Sequence, residues 1–241
     1  MPFPFKKIRP ALLGVFIGVA ANGGASAAQV NDDGPLYYLN IQTIAPQTRD
    51  AFIMAMRNNA TQSRKEDANQ VFDVAEPGGS DPTLVLFESW RDRAGYRQHE
   101  ASDHVAPVLA LVPTSFVKPE RKYFLQNVPG LPAPEHRNVT NPDATHNVVA
   151  RVEVTDAQHR AFVDAAATAI EQARRQPGNL AFNVYQQRDD LNAFVIYERW
   201  ADDKAYQQHQ AQPATKAFHQ VVTAALAQQP EVLVLHDRIL Q

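Results

Sequence analysis

The sequence predicts an α+β protein of two tandem β-α-β-β-α-β modules packed sheet to sheet as a barrel, and three observations carry that expectation. The chain repeats itself at a fixed spacing, each copy shows the same order of strand and helix patterns, and one strand in each copy is apolar on both faces. The repeat comes first: Glu88, Trp90, Tyr96 and His99 recur as Glu198, Trp200, Tyr206 and His209, each 110 residues on and without a gap. Residues 51–101 and 161–211 agree at 16 of 51 positions, where ordinary composition would give roughly 3 or 4. That excess marks a duplicated structural unit.

Within each copy the elements follow one order. Leu36 to Ile44 and Asn147 to Val154 are short, β-rich and partly alternating, which predicts strands. Thr48 to Arg64 and Asp156 to Arg175 follow as helices; in the second, Phe162, Ala166, Ala169, Ile170 and Ala173 form an apolar stripe at helical spacing, and Pro177-Gly178 ends it. Two strands come next in each copy, Asn69 to Ala75 with Thr83 to Trp90, and Asn179 to Gln187 with Asn192 to Trp200. Pro77-Gly78-Gly79 and Asp189-Asp190 supply the hairpin turns. Asp92 and Asp202 are placed to cap a second helix that Pro107 and Pro213 interrupt or restart, and Lys122 to Gln126 and Glu231 to Leu235 close the units as strands. This is the ferredoxin-like order.

Leu84-Val85-Leu86-Phe87 and Phe194-Val195-Ile196-Tyr197 have no polar face. Helices cover one side of such a sheet, so something apolar must cover the other. The economical cover is the sheet of the other copy, giving a barrel with helices outside. A linker of about 18 residues, carrying Pro129, Pro132, Pro134 and Pro142, reaches roughly 55 to 60 Å when extended. It therefore permits closure within one chain or completion by a second copy in a homodimer.

The N-terminus places Lys6, Lys7 and Arg9 before an apolar run, Ala11 to Ala21, that gives way to Ala25-Ser26-Ala27-Ala28. That is the layout of a secretory signal peptide, and the run is too short to span a bilayer. The expected organisation is a signal peptide over 1–28, a first module over 36–128, a linker over 129–145 and a second module over 146–241, with the mature protein periplasmic or secreted. Losing three cationic residues from a net charge of −3 leaves the mature chain near −6. With no Lys/Arg stripe, a nucleic-acid partner is excluded. The absence of cysteine removes disulfides, thiol nucleophiles and thiolate ligands.

Glu88 and Trp90, like Glu198 and Trp200, lie two apart on a strand and share a face; Tyr96 and His99, like Tyr206 and His209, lie three apart on a helix and share a side. If the helix folds back from the strand end, indole, phenol and imidazole converge beside the sheet. Such a wall suits a flat aromatic ligand. The segments Phe87-Glu88-Ser89-Trp90-Arg91-Asp92 with Tyr96 and His99, and Tyr197-Glu198-Arg199-Trp200-Ala201-Asp202 with Tyr206 and His209, resemble the strand-to-helix signature of antibiotic-biosynthesis monooxygenase domains. The resemblance implies a dimeric α+β barrel with a pocket in each module. It also implies an oxygenase that needs no cofactor and lets dioxygen react with a deprotonated small aromatic or quinol-like substrate. His99 and His209 would be the bases, at a pKa near neutrality, and Trp90, Trp200, Tyr96, Tyr206, Glu88, Glu198 and Asn40 would bind substrate. Structural roles compete for every one of these residues, since identity between copies reports a shared framework as readily as shared chemistry. Two further readings stand beside this one: a non-catalytic module that sequesters a small hydrophobic molecule, and a haem-degrading oxygenase using Asn40, Trp90 and His99. Ala150 replaces Asn40 in the second copy and weakens the last.

No metal is expected. His99 and His104 look like the H-E-x-x-H zinc motif, but the second His stands five positions on, about 140° around a helix. No phosphate loop, dinucleotide fingerprint or serine elbow is present.

Overall fold

A computed structural model describes residues 34–238, so the expected signal peptide lies outside the described residues. The first repeat contributes β1 (Leu36–Thr43), α1 (Arg49–Ser63), β2 (Asn69–Glu76), β3 (Thr83–Trp90), α2 (Arg93–Glu100), α3 (Ala106–Ser115) and β4 (Arg121–Asn127). The second contributes β5 (His146–Glu153), α4 (His159–Arg174), β6 (Asn179–Gln187), β7 (Ala193–Trp200), α5 (Asp203–Ala211), α6 (Pro213–Ala225) and β8 (Glu231–Asp237). The second helical segment is broken in both copies, at the turn before Pro107 and at Pro213. Asp92 and Asp202 cap α2 and α5 by accepting the backbone N–H of Gly95 and of Ala205, each at 2.7 Å.

The eight strands form one closed antiparallel barrel in the order β1-β3-β2-β8-β5-β7-β6-β4, so closure occurs within this single chain. Each repeat keeps its own four-stranded sheet, and two seams join them. Both seams are short: Ala75 and Glu76 pair with Asp237 and His236 at β2–β8, and residues 125–127 pair with 185–187 at β4–β6. The doubly apolar strands are explained. On β3, Leu84 and Leu86 pack under the helices with Phe52, Met56 and Phe72, whereas Val85 and Phe87 point into the barrel with Tyr185, Val195 and Tyr197. Phe194 and Ile196 take the helix-side role on β7. The stripe on α4 is buried throughout.

The barrel interior is apolar in the middle and charged at opposite ends of β8. At one end Glu231 accepts from Arg121 (2.7 and 2.9 Å) and Arg151 (2.8 Å). At the other, the sealed Arg199 guanidinium reaches Asp237 at 2.6 Å and Asp73 at 3.2 Å, and the Tyr197 hydroxyl donates to Asp73 at 2.6 Å. Burial opposes ionisation of Asp73, but Arg199 and His136 outweigh it and hold its carboxyl well below the usual range.

His136 belongs to the proline-rich connection, which is docked rather than being a free spacer. Its ring lies 3.2 Å from Asp73, the Arg137 N–H donates to Leu180, and Glu135 exchanges two hydrogen bonds with the Asn183 side chain. The segment runs along β6 because β4 pairs only with residues 185–187 of that strand, which leaves the Leu180 carbonyl and the Asn183 side-chain amide to bond the backbone of the connection.

One packing contact shows how closely the copies share a framework. A Cβ at Gly95 would stand 2.0 Å from the Ala68 Cβ; a Cβ at Gly178 would stand 2.6 Å from the Ala205 Cβ. Positions 68 and 178 correspond, as do 95 and 205, so this contact admits one methyl and the copies place it on opposite partners. Gly178 also adopts φ +80°, which favours glycine.

Two expectations follow for urea unfolding. Gly95→Ala should cost about 1–3 kcal/mol through overpacking, and adding Ala68→Gly should recover most of the loss; simple additivity would refute the shared-methyl account. Arg199→Met should cost about 3–5 kcal/mol because Asp73 and Asp237 stay buried without their cation. Asp73 is more acidic folded than unfolded, so its stabilisation is present above roughly pH 4 and lost as pH falls below it. Arg199→Met should flatten that acid loss, and an unchanged pH profile would discount the ion pair.

Candidate functional site

The outer face of each sheet, under its helix pair, holds the repeated residues, and the fold brings them together. In the first module the Glu88 carboxylate accepts from the Trp90 indole N–H and from the Asn40 side-chain amide, both at 3.0 Å. The Trp90 and His99 rings lie 4.4 Å apart, and Tyr96 meets the edge of Trp90 at 5.7 Å. In the second, Trp200 donates to Glu198 at 3.2 Å and lies 4.4 Å from His209. The convergence follows from the Asp caps, which start α2 and α5 directly after Trp90 and Trp200 and turn the helix back over the strand end. Both indoles are fully buried, and Asn40, Glu88, Glu198, His99 and His209 are nearly so.

Around this common core the two modules differ in charge. In the first, His99 Nδ1 is 3.2 Å from the Glu66 carboxylate and 3.4 Å from the Ser63 hydroxyl. Lys122 donates to the Tyr96 hydroxyl at 2.8 Å and lies 4.6 Å over the Tyr38 ring. In the second, Gln176 stands where Glu66 does and its amide oxygen is 3.1 Å from His209 Nδ1; Thr215 Oγ1 is at 3.3 Å. Tyr206 stacks on His146 at 3.9 Å instead of meeting a lysine.

The electrostatics follow the surroundings. Burial pushes Glu198 up to about 7, with only the Trp200 hydrogen bond opposing it. Burial also raises Glu88, where Lys122 and Trp90 counteract it. The expectation of a histidine titrating near neutrality is corrected for His209, which burial, aided by the charge on His219, pulls down to about 4; burial also lowers His99, against the pull of Glu66. With Nδ1 hydrogen-bonded to an amide oxygen, His209 is neutral and presents an Nε2 that makes no hydrogen bond, 3.6 Å from Glu198 Oε2. The group poised at neutral pH is thus a carboxyl.

The separation of about 140° between His99 and His104 holds only on one continuous helix. The helix ends at Glu100, and the turn through residues 101–105 swings His104 back until its ring lies 5.5 Å from His99 and its Nε2 lies 2.8 Å from Glu66. Glu66 was not singled out from sequence, although its replacement by Gln176 at the repeat spacing was visible. A cavity of about 650 Å³ lies elsewhere, between residues 126–130, His159, Val163 and Leu191. Another of about 470 Å³ lies under the connection beside Asp73, His136 and Arg199.

Fold and paired constellation define an α+β barrel in which two ferredoxin-like modules are fused in one chain. The sequence profile described as "Antibiotic biosynthesis monooxygenase" matches residues 38–108 and 145–221, more than half of the chain. The chain belongs to the antibiotic biosynthesis monooxygenase family. It is 30% identical over 61 residues to the Bacillus subtilis (strain 168) protein named "Putative monooxygenase YcnE", a match covering 25% of this chain and 64% of that protein's length. Its fold is shared with a "putative monooxygenase" from Lactobacillus acidophilus NCFM (TM-score 0.72, 20% identity, 85% of this chain and 94% of that one). A "Putative monooxygenase" from Fusobacterium nucleatum shares it too (TM-score 0.77, 13% identity, 85% and 93%). Among the described residues no helix is long and apolar enough to cross a membrane.

The Asn40 amide has no counterpart at Ala150, and this difference is open to test. Ala150→Asn should give Glu198 the donor that Glu88 has and lower its titration midpoint from about 7 toward the ordinary carboxylate range. Carbon-13 NMR of the Glu198 carboxyl reads this directly, and an unmoved midpoint would discount the amide.

Proposed function

We propose that this protein is an oxygenase that needs no cofactor and acts with dioxygen on a small aromatic, quinol-like substrate, the second module supplying the acid–base chemistry. The observation that carries the reading is the close pair of Glu198 and the unengaged His209 Nε2 beside the Trp200 indole, within a chain of the monooxygenase family. The balanced reaction is oxidation of an activated CH₂ or aromatic C–H to the carbonyl level. For R₂CH₂ + O₂ → R₂C=O + H₂O, His209 Nε2 takes the acidic substrate proton while ionised Glu198 stabilises the imidazolium. The resulting carbanion reduces dioxygen to a bound hydroperoxide, which loses water with the proton returned by the pair. A pKa of about 4 makes His209 a weak base alone, so the charge on Glu198 is what drives the transfer. His99 holds the corresponding place in the first module. The reading of residues 1–28 as a signal peptide supports a periplasmic or secreted mature protein.

The cavity of about 650 Å³ lined in part by Val128, Val163 and Leu191 favours a second reading, in which the protein holds a small hydrophobic molecule without turnover. Oxygen uptake by the purified protein against quinols and anthrones, with chelator present and no flavin or haem added, separates the two. The oxygenase reading expects protein-dependent uptake whose kcat/KM rises with pH through about 7, because the ionised form of Glu198 is required. Glu198→Gln should erase that limb and His209→Ala should lower kcat roughly 10²-fold or more. Tight ligand binding with no uptake would replace the oxygenase by the sequestering module.

A further inference from the structure

We propose that the first module, and not the second, binds one divalent transition-metal ion of the zinc class through His99 Nδ1, His104 Nε2 and the Glu66 carboxylate. These ligand atoms all lie within 4.8 Å of one another, and theirs is the one such His/Cys/Asp/Glu group among the described residues. The two nitrogens stand 3.2 and 2.8 Å from the same oxygen, Glu66 Oε1. Such separations are close to the ligand–ligand edges around an ion with bonds of about 2.0–2.2 Å. Two imidazoles and one carboxylate form a donor set of intermediate softness that suits zinc and leaves a fourth position for water.

The ligands come from three places in the chain: the turn after α1, the last turn of α2, and the turn between α2 and α3. His99 is held in place by packing on Trp90 at 4.4 Å and Phe72 at 5.9 Å, so its ring does not need to be ordered by an ion. Ser102 Oγ lies 3.1 Å from His104 Nε2 and marks the approach of that ring. The Glu66 and His104 side chains retain 21% and 15% of their exposure, which gives an ion a path from solvent.

The second module is an internal control. At the repeat spacing Glu66, His99 and His104 become Gln176, His209 and Ala214, so the framework histidine is kept while the anionic ligand and the second imidazole are both missing. There an amide oxygen meets His209 Nδ1 at 3.1 Å, and that contact is sufficient to orient the ring. Orientation of His99 therefore does not require the carboxylate or His104. Both additions fall at one spot, where they complete a ligand set.

The test uses the full-length mature protein, stripped with chelator and dialysed, and titrated with zinc chloride by calorimetry. Cobalt(II) chloride serves as a visible-absorbance probe of low-coordinate nitrogen and oxygen ligation. The expected result is one equivalent per chain, unchanged in His209→Ala. Loss of an outer-shell partner alone weakens metal sites about 10–100-fold, so His104→Ala or Glu66→Gln should weaken binding at least ~100-fold. The double change Glu66→Gln with His104→Ala recreates an arrangement that the second module already folds with, and circular dichroism verifies that it stays folded. Absence of saturable uptake, or uptake that survives the double change, would overturn the site.

Discussion

The structure depends on one buried cation. Arg199 lies inside the barrel with almost no exposure, its two Nη atoms directed at Asp73 on β2 and Asp237 on β8. An isolated guanidinium there would be too costly to keep, so the three groups must assemble together or not at all. Asp73 comes from the first repeat and Asp237 and Arg199 from the second, so satisfying the charge requires the two sheets to meet. The adjoining seam has only two backbone pairs, and the ion cluster fastens what so short a ladder could not. His136 adds to the cluster from the connection and fixes its course. The opposite seam lacks this three-group cluster: Ser89, Asn183 and Asn127 stand at the positions of Arg199, Asp73 and Asp237, Gln126 bonds Gln186 there at 2.9 Å, and Arg174 reaches the Asn183 side chain at 2.6 Å.

That asymmetry extends to the outer faces. Trp, Glu, Tyr and His are the same in both modules because they form the packing where helix returns to strand. What surrounds them has diverged. The first module gathers Glu66, His104 and Lys122 around its histidine and tyrosine, whereas the second has Gln176, Ala214 and Val232 at those positions. Low dielectric makes each exchange consequential. Without a nearby cation, Glu198 is raised by burial nearly unopposed, while Lys122 tempers the same tendency at Glu88. The two modules thus differ in the side chains around each histidine while the barrel between them is common.

Much of the site was legible and some was not. The four repeated residue types and their convergence follow from periodicity: two apart on a strand, three apart on a helix, with an aspartate cap setting the turn between. Glu66 and Lys122 escaped because each reaches the site from a different element, and no local spacing ties them to His99 or Tyr96. His104 was misplaced for a definable reason: an angular argument holds only while the helix continues, and α2 stops at Glu100. The basicity of His209 was not legible because burial, which sequence does not report, lowers it well below that of a free imidazole.

The sequence by itself determined the duplication, the element order and the need for a second covered face, because alternation and apolar stripes are local properties that no partner can change. It also determined which side chains share a face. Only the tertiary structure decided that the barrel closes within one chain, that the proline-rich connection is strapped across β6, and that Asp73, Arg199 and Asp237 meet. Those outcomes depend on contacts between residues 38 to 164 positions apart, and the free energy of a charge depends on what stands within a few ångströms of it in space.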